Sequence, residues 1–257
     1  MGQLETLPLP HTADRTPVLQ EFHPPARFWN DLTDDEQSAL EAIGRPRAYP
    51  AGTVLCHQGD DSDYVIVIKA GWVKITSTTP DGRLVFLAVR GPADMVGEGA
   101  VFRDSEQRFA TVTSLSPLQT FVVLSDRFTS FLDSHPRVSR MVTRMVVRRG
   151  DESDERAQAR ASADGGLRLI DLLIYLAELS LGYVPGDPDK PIDISPPLSQ
   201  ADLGSWADAS RETAARQLRI LRDLDLVSTG WRKVTVLDLP GLRVHAAKRR
   251  AEAEGSG

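Results

Sequence analysis

Residues 198–227 read LSQADLGSWADASRETAARQLRILRDLDLV and predict two helices joined by a tight turn. Ser199 and Ser210 each precede a helical pattern, where a serine hydroxyl can accept a backbone N–H of the first turn. The first helix is predicted from about Gln200 to Ala207, and Asp208-Ala209 forms the turn before the second. The C-terminal part of the chain is therefore predicted to be built on a helix-turn-helix.

The second helix separates an apolar face from a charged one. Its apolar residues recur at steps of four and three and predict an inward stripe: Ala214, Leu218, Leu221 and Leu224. Its charged residues avoid that stripe: Arg211, Glu212, Arg216, Arg219 and Arg222. Arginine can donate two parallel bonds to guanine, and glutamate can accept from the cytosine amino group. Because an acid beside DNA does not help to grip phosphate, Glu212 favours base reading over an ordinary solvated helix face.

The residues after this helix strengthen the DNA-binding interpretation. Residues 226–236 predict a two-stranded wing with a basic tip at Arg232 and Lys233. A wing beside a helix-turn-helix commonly touches the DNA backbone. Periodicity alone leaves the charged helix open to either interpretation, and the wing favours nucleic acid.

Ser210-Arg211-Glu212-Thr213 followed by Arg216 resembles the recognition helix of the cyclic-AMP receptor / fumarate-nitrate regulator (CRP/FNR) superfamily of bacterial transcription factors. The resemblance implies that Arg211, Glu212 and Arg216 read bases in half-sites near TGTGA. It also implies a cytoplasmic homodimer on a pseudo-palindromic operator in double-stranded DNA, with RNA polymerase as a further partner. The complete set of expected DNA contacts is Ser199, Ser210, Arg211, Glu212, Thr213, Arg216, Gln217, Arg219, Arg232 and Lys233.

Length and composition are those of a soluble globular protein with two domains. The chain has 257 residues, of which 41% are hydrophobic, and no apolar run approaches a membrane span. Its net charge of −6 argues mildly against nucleic acid, but the basic residues are clustered, and phosphate contact depends on the local field. The predicted segments are a disordered start (1–26), a sensor domain (27–134), a dimerisation helix (135–163), a DNA-binding domain (164–246) and a flexible tail (247–257).

The cysteine and histidine content excludes several classes of cofactor. Cys56 is the one cysteine, which rules out an intramolecular disulfide and a cluster held by four cysteines of one chain. Cys56 lies in a strand-like run and is expected to be a core residue and not a redox switch. The five histidines show no metal-ligand spacing, so we expect no metal, haem or iron–sulfur cluster.

Residues 45–125 change to short strands separated by glycine-containing turns, a pattern typical of an antiparallel β-barrel or jelly roll. Thr33 and Glu36 predict a capping box before this region. A long helix is predicted from Pro136 to about Ala163, with an apolar seam over residues 138–146 that suits a coiled-coil dimer contact. Its charged second half is either a fraying solvated helix or a polar dimer seam. The overall fold class is α+β.

Residues 97–100 and Arg108 form the candidate ligand site. The glycines Gly97 and Gly99 flank Glu98, and a helical turn that begins there would attract an anion through its backbone N–H groups. Arg108 could reach the same anion, and Glu98 could accept from a ribose hydroxyl. The combination suits a cyclic nucleotide. The structural alternative is a Glu98–Arg108 ion pair that supports a barrel loop.

This stretch resembles the phosphate-binding cassette of cyclic-nucleotide-binding domains, with Gly97, Glu98, Gly99, Ala100 and Arg108 at the matching positions. The resemblance covers about residues 28–237. Two expected contacts are altered, which adds three residues to the candidate ligand set. Phe109 replaces the hydroxyl residue after the arginine, and the adenine-contacting Thr-Ser pair falls at Ser153-Asp154. Three outcomes stay open: cyclic AMP, another ligand such as cyclic GMP or a cyclic dinucleotide, or no ligand.

The sequence thus predicts a homodimeric DNA-binding transcription regulator controlled by a cyclic nucleotide in its N-terminal barrel. A second hypothesis keeps DNA binding but removes the small-molecule switch, or places it under a protein partner. A third, of another class, is an enzyme regulated by a cyclic nucleotide. The sequence offers no nucleophile–base pair, metal set or nucleoside-triphosphate loop, so we expect no enzymatic activity.

Overall fold

The computed structural model describes residues 27–61, 63–102, 107–162 and 164–254, without the side chains of residues 100, 102, 154–162 and 254. The predicted disordered start, residues 1–26, lies outside these ranges. The described chain forms an N-terminal β-domain, a long helix, and a C-terminal domain of helices with a small sheet.

The β-domain begins with helix α1 (Asp34–Ile43), where Thr33 and Glu36 form the predicted capping box. The strands and one short helix follow in the order β1 (Arg45–Tyr49), β2 (Val54–Cys56), β3 (Tyr64–Ala70), β4 (Val73–Thr78), β5 (Leu84–Arg90), β6 (Met95–Val96), α2 (Gly99–Phe102), β7 (Thr111–Ser114) and β8 (Leu118–Leu124). The sequence did not predict β1 or β6. Four of the five residues of β1 are exposed, so its sequence carries no apolar alternation.

Two four-stranded antiparallel sheets pack together, in the orders β1-β8-β3-β6 and β2-β7-β4-β5. Strand β3 is buried on both faces because its alternate residues enter different cores. Val65 and Val67 join the cluster formed with the helices, while Ile66 and Ile68 pack between the sheets. Cys56 is 6% exposed in this second core, as predicted. The arrangement confirms the predicted jelly roll.

Helix α3 (Ser125–Ser134) leads into α4 (Pro136–Ser162), whose 27 residues span about 40 Å. The apolar stripe of α4 packs on its own β-domain, where Val138, Val142 and Met145 are buried beside Phe128 of α3. Val138, Val142 and Met145 of the predicted seam are covered by the same chain and are not available to a dimer partner, whereas Met141 and Val146 are only partly buried. The periodicity identified a buried face correctly but not the surface that buries it.

The C-terminal domain follows as α5 (Gly165–Tyr183), β9 (Ile192–Asp193), α6 (Gln200–Trp206), α7 (Arg211–Asp223), β10 (Val227–Gly230), β11 (Lys233–Val236) and α8 (Leu239–Glu254). Strands β10 and β11 form the wing, and β9 adds a third antiparallel strand to it. The predicted winged helix-turn-helix is confirmed. None of the described helices combines the length and apolar character needed to cross a bilayer.

The predicted flexible tail from residue 247 is wrong for its first eight residues, which belong to α8. Two arginines of that segment tie α8 to the start of α5. Arg249 pairs with Asp164 at 3.1 Å, and Arg250 pairs with Asp171. Leu242 of α8 is fully buried, so the helix belongs to the DNA-binding domain.

Aromatic and charged side chains both form contacts between the two domains. Phe86 of β5 stacks on Trp206 of α6, with 4.5 Å between the ring centroids. Lys74 of β4 donates to Asp202 of α6 at 2.6 Å, in a pair whose side chains are 26% and 12% exposed. Trp72 meets Tyr183 edge to face, at 4.6 Å between centroids. These contacts pack the helix-turn-helix domain against the β4–β5 side of the β-domain.

Candidate functional site

A cavity of about 140 Å³ lies in the β-domain between strand β5, the β6–α2 turn and helix α4. Its apolar lining includes Cys56, Ile66, Ile75, Leu87, Ala88, Val96, Ala110 and Val112. Four charged residues also line it: Arg90, Glu98, Arg108 and Arg149. The cavity is smaller than the roughly 300–1,000 Å³ of typical small-molecule sites, so a nucleotide-sized ligand would have to widen it.

Arg108 is buried at this cavity, with 6% of its surface exposed. Its Nη2 donates to the Tyr64 carbonyl oxygen at 2.6 Å, and its guanidinium carbon lies 4.3 Å from the centroid of the Tyr64 ring. Its Nε has no hydrogen-bond partner among the described residues. A buried donor left in this state costs about 1–3 kcal/mol, so Arg108 is prepared to receive an anionic acceptor.

Gly97 allows Arg108 to approach the β6–α2 turn. Its φ of +84° lies in the left-handed region, which favours glycine. A Cβ atom at this position would lie 2.4 Å from Nη1 of Arg108. Any larger residue would therefore displace the guanidinium from the cavity wall.

Glu98 is paired with Arg149 of α4, whose Nη1 donates to Oε1 at 2.5 Å. Arg149 also donates to the Met95 carbonyl oxygen at 2.9 Å and pairs with Asp94. Among the described residues Glu98 does not pair with Arg108, so the ion pair considered from the sequence is not the one that forms. Arg149 was not among the site residues predicted from the sequence, although it lies four residues before Ser153 and hence on the same helix face.

Burial and charge act against each other on these groups. Burial disfavours the Glu98 carboxylate, but the charge and hydrogen bond of Arg149 outweigh it and hold the pKa of Glu98 below its ordinary value. For Asp94 burial dominates, and its pKa is raised despite Arg149 and Arg90. Burial also disfavours the Arg149 cation, yet the two carboxylates raise its pKa. Three guanidinium groups face two carboxylates, so the site holds at least one excess positive charge.

The helix-turn-helix places its charged residues as the sequence predicted. Ser210 caps α7 and accepts the Thr213 backbone N–H at 3.0 Å. Gly204 brings α6 close to α7, since a Cβ there would lie 3.3 Å from the Ala214 Cβ. The outer face of α7 is formed by four exposed side chains: Arg211, Glu212, Arg216 and Arg219.

Comparison with known proteins matches both domains to one family. Residues 46–135 match the cyclic nucleotide-binding domain, and residues 167–244 match the Crp-like helix-turn-helix domain. The chain belongs to the CRP/FNR family. This CRP/FNR member is accordingly a DNA-binding transcription regulator.

Relatives and solved structures of the CRP/FNR family agree with this assignment. The CRP-like cAMP-activated global transcriptional regulator of Mycobacterium tuberculosis is 27% identical over 199 residues, covering 76% of this chain and 84% of the relative. The cAMP-activated global transcriptional regulator CRP of Salmonella typhimurium is 23% identical over 190 residues, covering 73% and 87%. The c-di-GMP-responsive regulator CLP of Xanthomonas campestris has the same fold, with a TM-score of 0.68, 21% identity, and coverage of 80% of this chain and 99% of that structure.

Most of the ligand-binding residues expected from the sequence line the β-domain cavity of this CRP/FNR member. Gly97, Glu98, Gly99, Arg108, Phe109 and Ser153 all line it. Phe109 is 53% exposed, and Ser153 is exposed as well, so both lie at the mouth and not at the floor. The side chains of Ala100 and Asp154, which complete the expected set, lie outside the described residues.

One expected DNA contact of the CRP/FNR helix-turn-helix is contradicted. Gln217 is 4% exposed, and its Oε1 accepts from Arg249 of α8 at 3.4 Å. It lies three residues after Ala214 and four before Leu221, which places it on the inward stripe. Leu224, predicted to belong to that stripe, is 50% exposed because α7 ends before it.

Three further expected DNA contacts form hydrogen bonds or ion pairs inside the domain. The Ser199 hydroxyl bonds with Asp202 at 2.6 Å within a capping box. In the wing, Arg232 donates through Nε to the Pro197 carbonyl oxygen at 3.2 Å, and Lys233 pairs with Asp193 at 2.8 Å. Arg232 and Lys233 were expected to bind phosphate, and the sequence did not predict that each also has a partner within the domain.

Proposed function

We propose that this CRP/FNR regulator binds a cyclic mononucleotide in the β-domain cavity, and that the ligand changes how a homodimer presents its recognition helices to DNA. The buried Arg108, with an unpartnered Nε in a cavity of excess positive charge, carries the proposal. Two similar proteins named as cAMP-activated support it. The regulator acts by binding and not by catalysis, and RNA polymerase is its proposed partner at promoters.

The ligand would use both ends of the cavity. Its phosphate would accept from Arg108, where an ionised acceptor satisfies the buried Nε. Its ribose hydroxyl would donate to Glu98, whose carboxylate is now occupied by Arg149. Since the ligand and Arg149 would share Glu98, and Arg149 belongs to α4, binding would reach the long helix directly. If the ligand contacts two arrangements of α4 with different affinity, its binding would shift the population toward the arrangement that it binds more tightly.

The homodimer would form along the outward face of α4. The stripe toward the β-domain is already covered, but Thr143, Val147 and Gly150 recur at steps of four and three on the exposed side. Val147 is a 59% exposed valine in the middle of this face. A two-fold pair of such chains would set two recognition helices about 34–36 Å apart, one helical turn of DNA.

A second candidate is a regulator without a small-molecule ligand. It is favoured by Arg149, which already neutralises Glu98, and by Phe109, whose side chain offers no hydroxyl to a phosphate. In that case the Glu98–Arg149 pair is a permanent brace between α4 and the cavity. A cyclic dinucleotide is a larger ligand of the same anionic class and would demand more widening of the cavity.

Calorimetric titration of the full chain with cyclic AMP, cyclic GMP and cyclic di-GMP separates these candidates. We expect one mononucleotide to bind, Arg108→Ala to weaken it by at least about tenfold, and the exposed α4 control Arg144→Ala to leave it unchanged. Operator affinity, measured in parallel by fluorescence anisotropy, should rise with that ligand. Absence of binding by all three compounds, with operator binding intact, selects the ligand-free candidate.

A further inference from the structure

We propose that the indole ring of Trp231 makes a direct contact between the wing and DNA, beside the neighbouring cations. Trp231 is 90% exposed, whereas the other three tryptophans, Trp29, Trp72 and Trp206, are 9% exposed or less. A tryptophan left in water forgoes the burial of a large apolar surface. A single exposed apolar residue is ordinary on a protein surface, but tryptophan is enriched at interaction surfaces.

The wing holds the backbone at Trp231 in a defined position. Trp231 and Arg232 form a two-residue turn, because Gly230 of β10 pairs directly with Lys233 of β11. Arg232 has a φ of +51°, and its Nε bond to the Pro197 carbonyl oxygen anchors the turn to the segment before α6. A rigid hairpin loses little backbone entropy when it binds.

The cations beside Trp231 already have partners within the domain. Lys233 forms an ion pair with Asp193, which also accepts from the Thr235 hydroxyl at 2.6 Å. The Lys233–Asp193 pair is exposed, with side chains 59% and 62% exposed, and the Pro197 carbonyl does not neutralise Arg232, so both cations can still add to the field at DNA. The indole is the large exposed group that the tip presents.

Continuity with the recognition helix identifies the occupant as DNA. Arg222 of α7 donates through Nη1 to the Thr229 hydroxyl of β10 at 3.0 Å, which ties the wing to the end of that helix. The exposed Arg216 and Arg219 extend the reading face toward the same end of α7. Planar apolar side chains pack against sugars or insert between base steps of the minor groove. Trp231 would make this contact beside each half-site.

An uncharged contact has a distinct salt signature. Operators selected from a random duplex pool by the protein itself are the probes, and their affinity is measured by anisotropy over a range of salt. Trp231→Ala should weaken binding about tenfold at every salt concentration without changing the slope of log K against log salt, since no counterion is released. Trp231→Phe should retain affinity within about threefold, because it keeps a planar ring.

Two controls separate this contact from other effects. Val244→Ala, at a 70% exposed valine of α8, should leave affinity unchanged. Arg219→Ala should make the salt slope shallower by about one, which reports that the recognition helix is on DNA whatever Trp231 does. Wild-type affinity in Trp231→Ala, or a loss that disappears at high salt, overturns the proposal.

The indole also reports its own environment. Acrylamide quenching of tryptophan fluorescence in the free protein should arise mainly from Trp231, with Trp231→Phe as the background. Saturating operator should protect this signal from acrylamide. Unchanged quenching on DNA contradicts the proposal, and protection by RNA polymerase alone would reassign Trp231 to a protein contact.

Discussion

The ring of Phe86 stacks on the indole of Trp206 at a centroid distance of 4.5 Å and an interplanar angle of 17°. Phe86 belongs to β5, and the next two residues of that strand, Leu87 and Ala88, line the cavity. Ile75 pairs with Ala88 and Thr76 with Phe86, so Leu87 is a bulged residue between them. One strand therefore touches both the ligand cavity and the first helix of the helix-turn-helix.

Replacing Phe86 should destabilise the docked chain. Phe86→Ala removes a side chain that is 1% exposed and should lower the free energy of unfolding by about 3–5 kcal/mol. Phe109→Ala changes the same residue type at a 53% exposed position and should alter it by less than about 1 kcal/mol. Urea unfolding followed by circular dichroism measures both, and equal losses in the two variants would refute this assignment of the core.

The contribution of the Lys74–Asp202 pair between the domains to the free energy of unfolding should depend on pH. Burial opposes the Asp202 carboxylate, but hydrogen bonds from Lys74 and Ser199 outweigh it and lower its pKa. Because the pKa of Asp202 is lower in the folded chain than in the unfolded chain, where it is near 4, ionised Asp202 stabilises the fold above about pH 4. This stabilisation is lost as the pH falls through the folded-state pKa. Lys74→Met should therefore cost about 1–2 kcal/mol at pH 7, and less below about pH 4.

The exposed pair Arg83–Asp208, with side chains 60% and 47% exposed, is the matched control for Lys74–Asp202. Arg83→Met should change stability by less than about 0.5 kcal/mol, because solvent screens such pairs. Chemical unfolding at pH 7 and at pH 3.5 provides the comparison. A Lys74→Met deficit that grows in acid would contradict the assigned role of Asp202.

Arg149→Met should be more damaging, since it leaves Glu98 buried without its cation and Asp94 with Arg90 as its remaining partner. Breaking a buried pair costs about 3–5 kcal/mol. In the variant, burial would raise the pKa of Glu98, so the penalty applies above that pKa and is relieved by protonation. The deficit in thermal stability should therefore be smaller at pH 5 than at pH 8. The exposed Arg144→Met serves as control and should show neither a loss nor this pH dependence.

Gln217 and Arg216 are adjacent in sequence but should behave differently. Arg216→Ala should cost about 1–3 kcal/mol of discrimination between the selected operator and single-base variants, with little change in thermal stability. Gln217→Ala should lower stability by about 1–3 kcal/mol and leave operator preference unchanged, because its side chain is buried against α8. Altered base preference in Gln217→Ala would show that this residue reaches DNA.

Val147 tests the proposed dimer face. Val147→Glu places a charge in the middle of the outward stripe of α4 and should convert the dimer to a monomer in analytical ultracentrifugation. Val244→Glu introduces the same change at a 70% exposed valine of α8 and should leave the dimer intact. A dimeric Val147→Glu would require the partner surface to lie elsewhere.

Local signals were sufficient to predict the elements that carry function. Serine caps, the turn at Asp208, and the spacing of Ala214, Leu218 and Leu221 predicted both helices of the pair to within a residue. The Gly97-Glu98-Gly99 turn and Arg108 were predicted as one site, and the structure places them around one cavity. The helix pair depends on hydrogen bonds and periodicities that act over a few residues, so the sequence alone determines it. The joining of Gly97 and Arg108 in one site was predicted from the chemistry of their side chains and backbone together with the family resemblance.

Packing between distant segments decided which groups are available. Arg149 reaches Glu98 from 51 positions away, Gln217 is covered by α8, and Lys233 is paired with Asp193 of β9. Val138, Val142 and Met145 of α4 are buried by their own β-domain. Hydrophobic periodicity shows that a helix face is buried but does not identify the surface that covers it. A charged side chain is expected to form an ion pair or hydrogen bond when buried, but the sequence does not identify its partner. Only the tertiary structure supplies those partners.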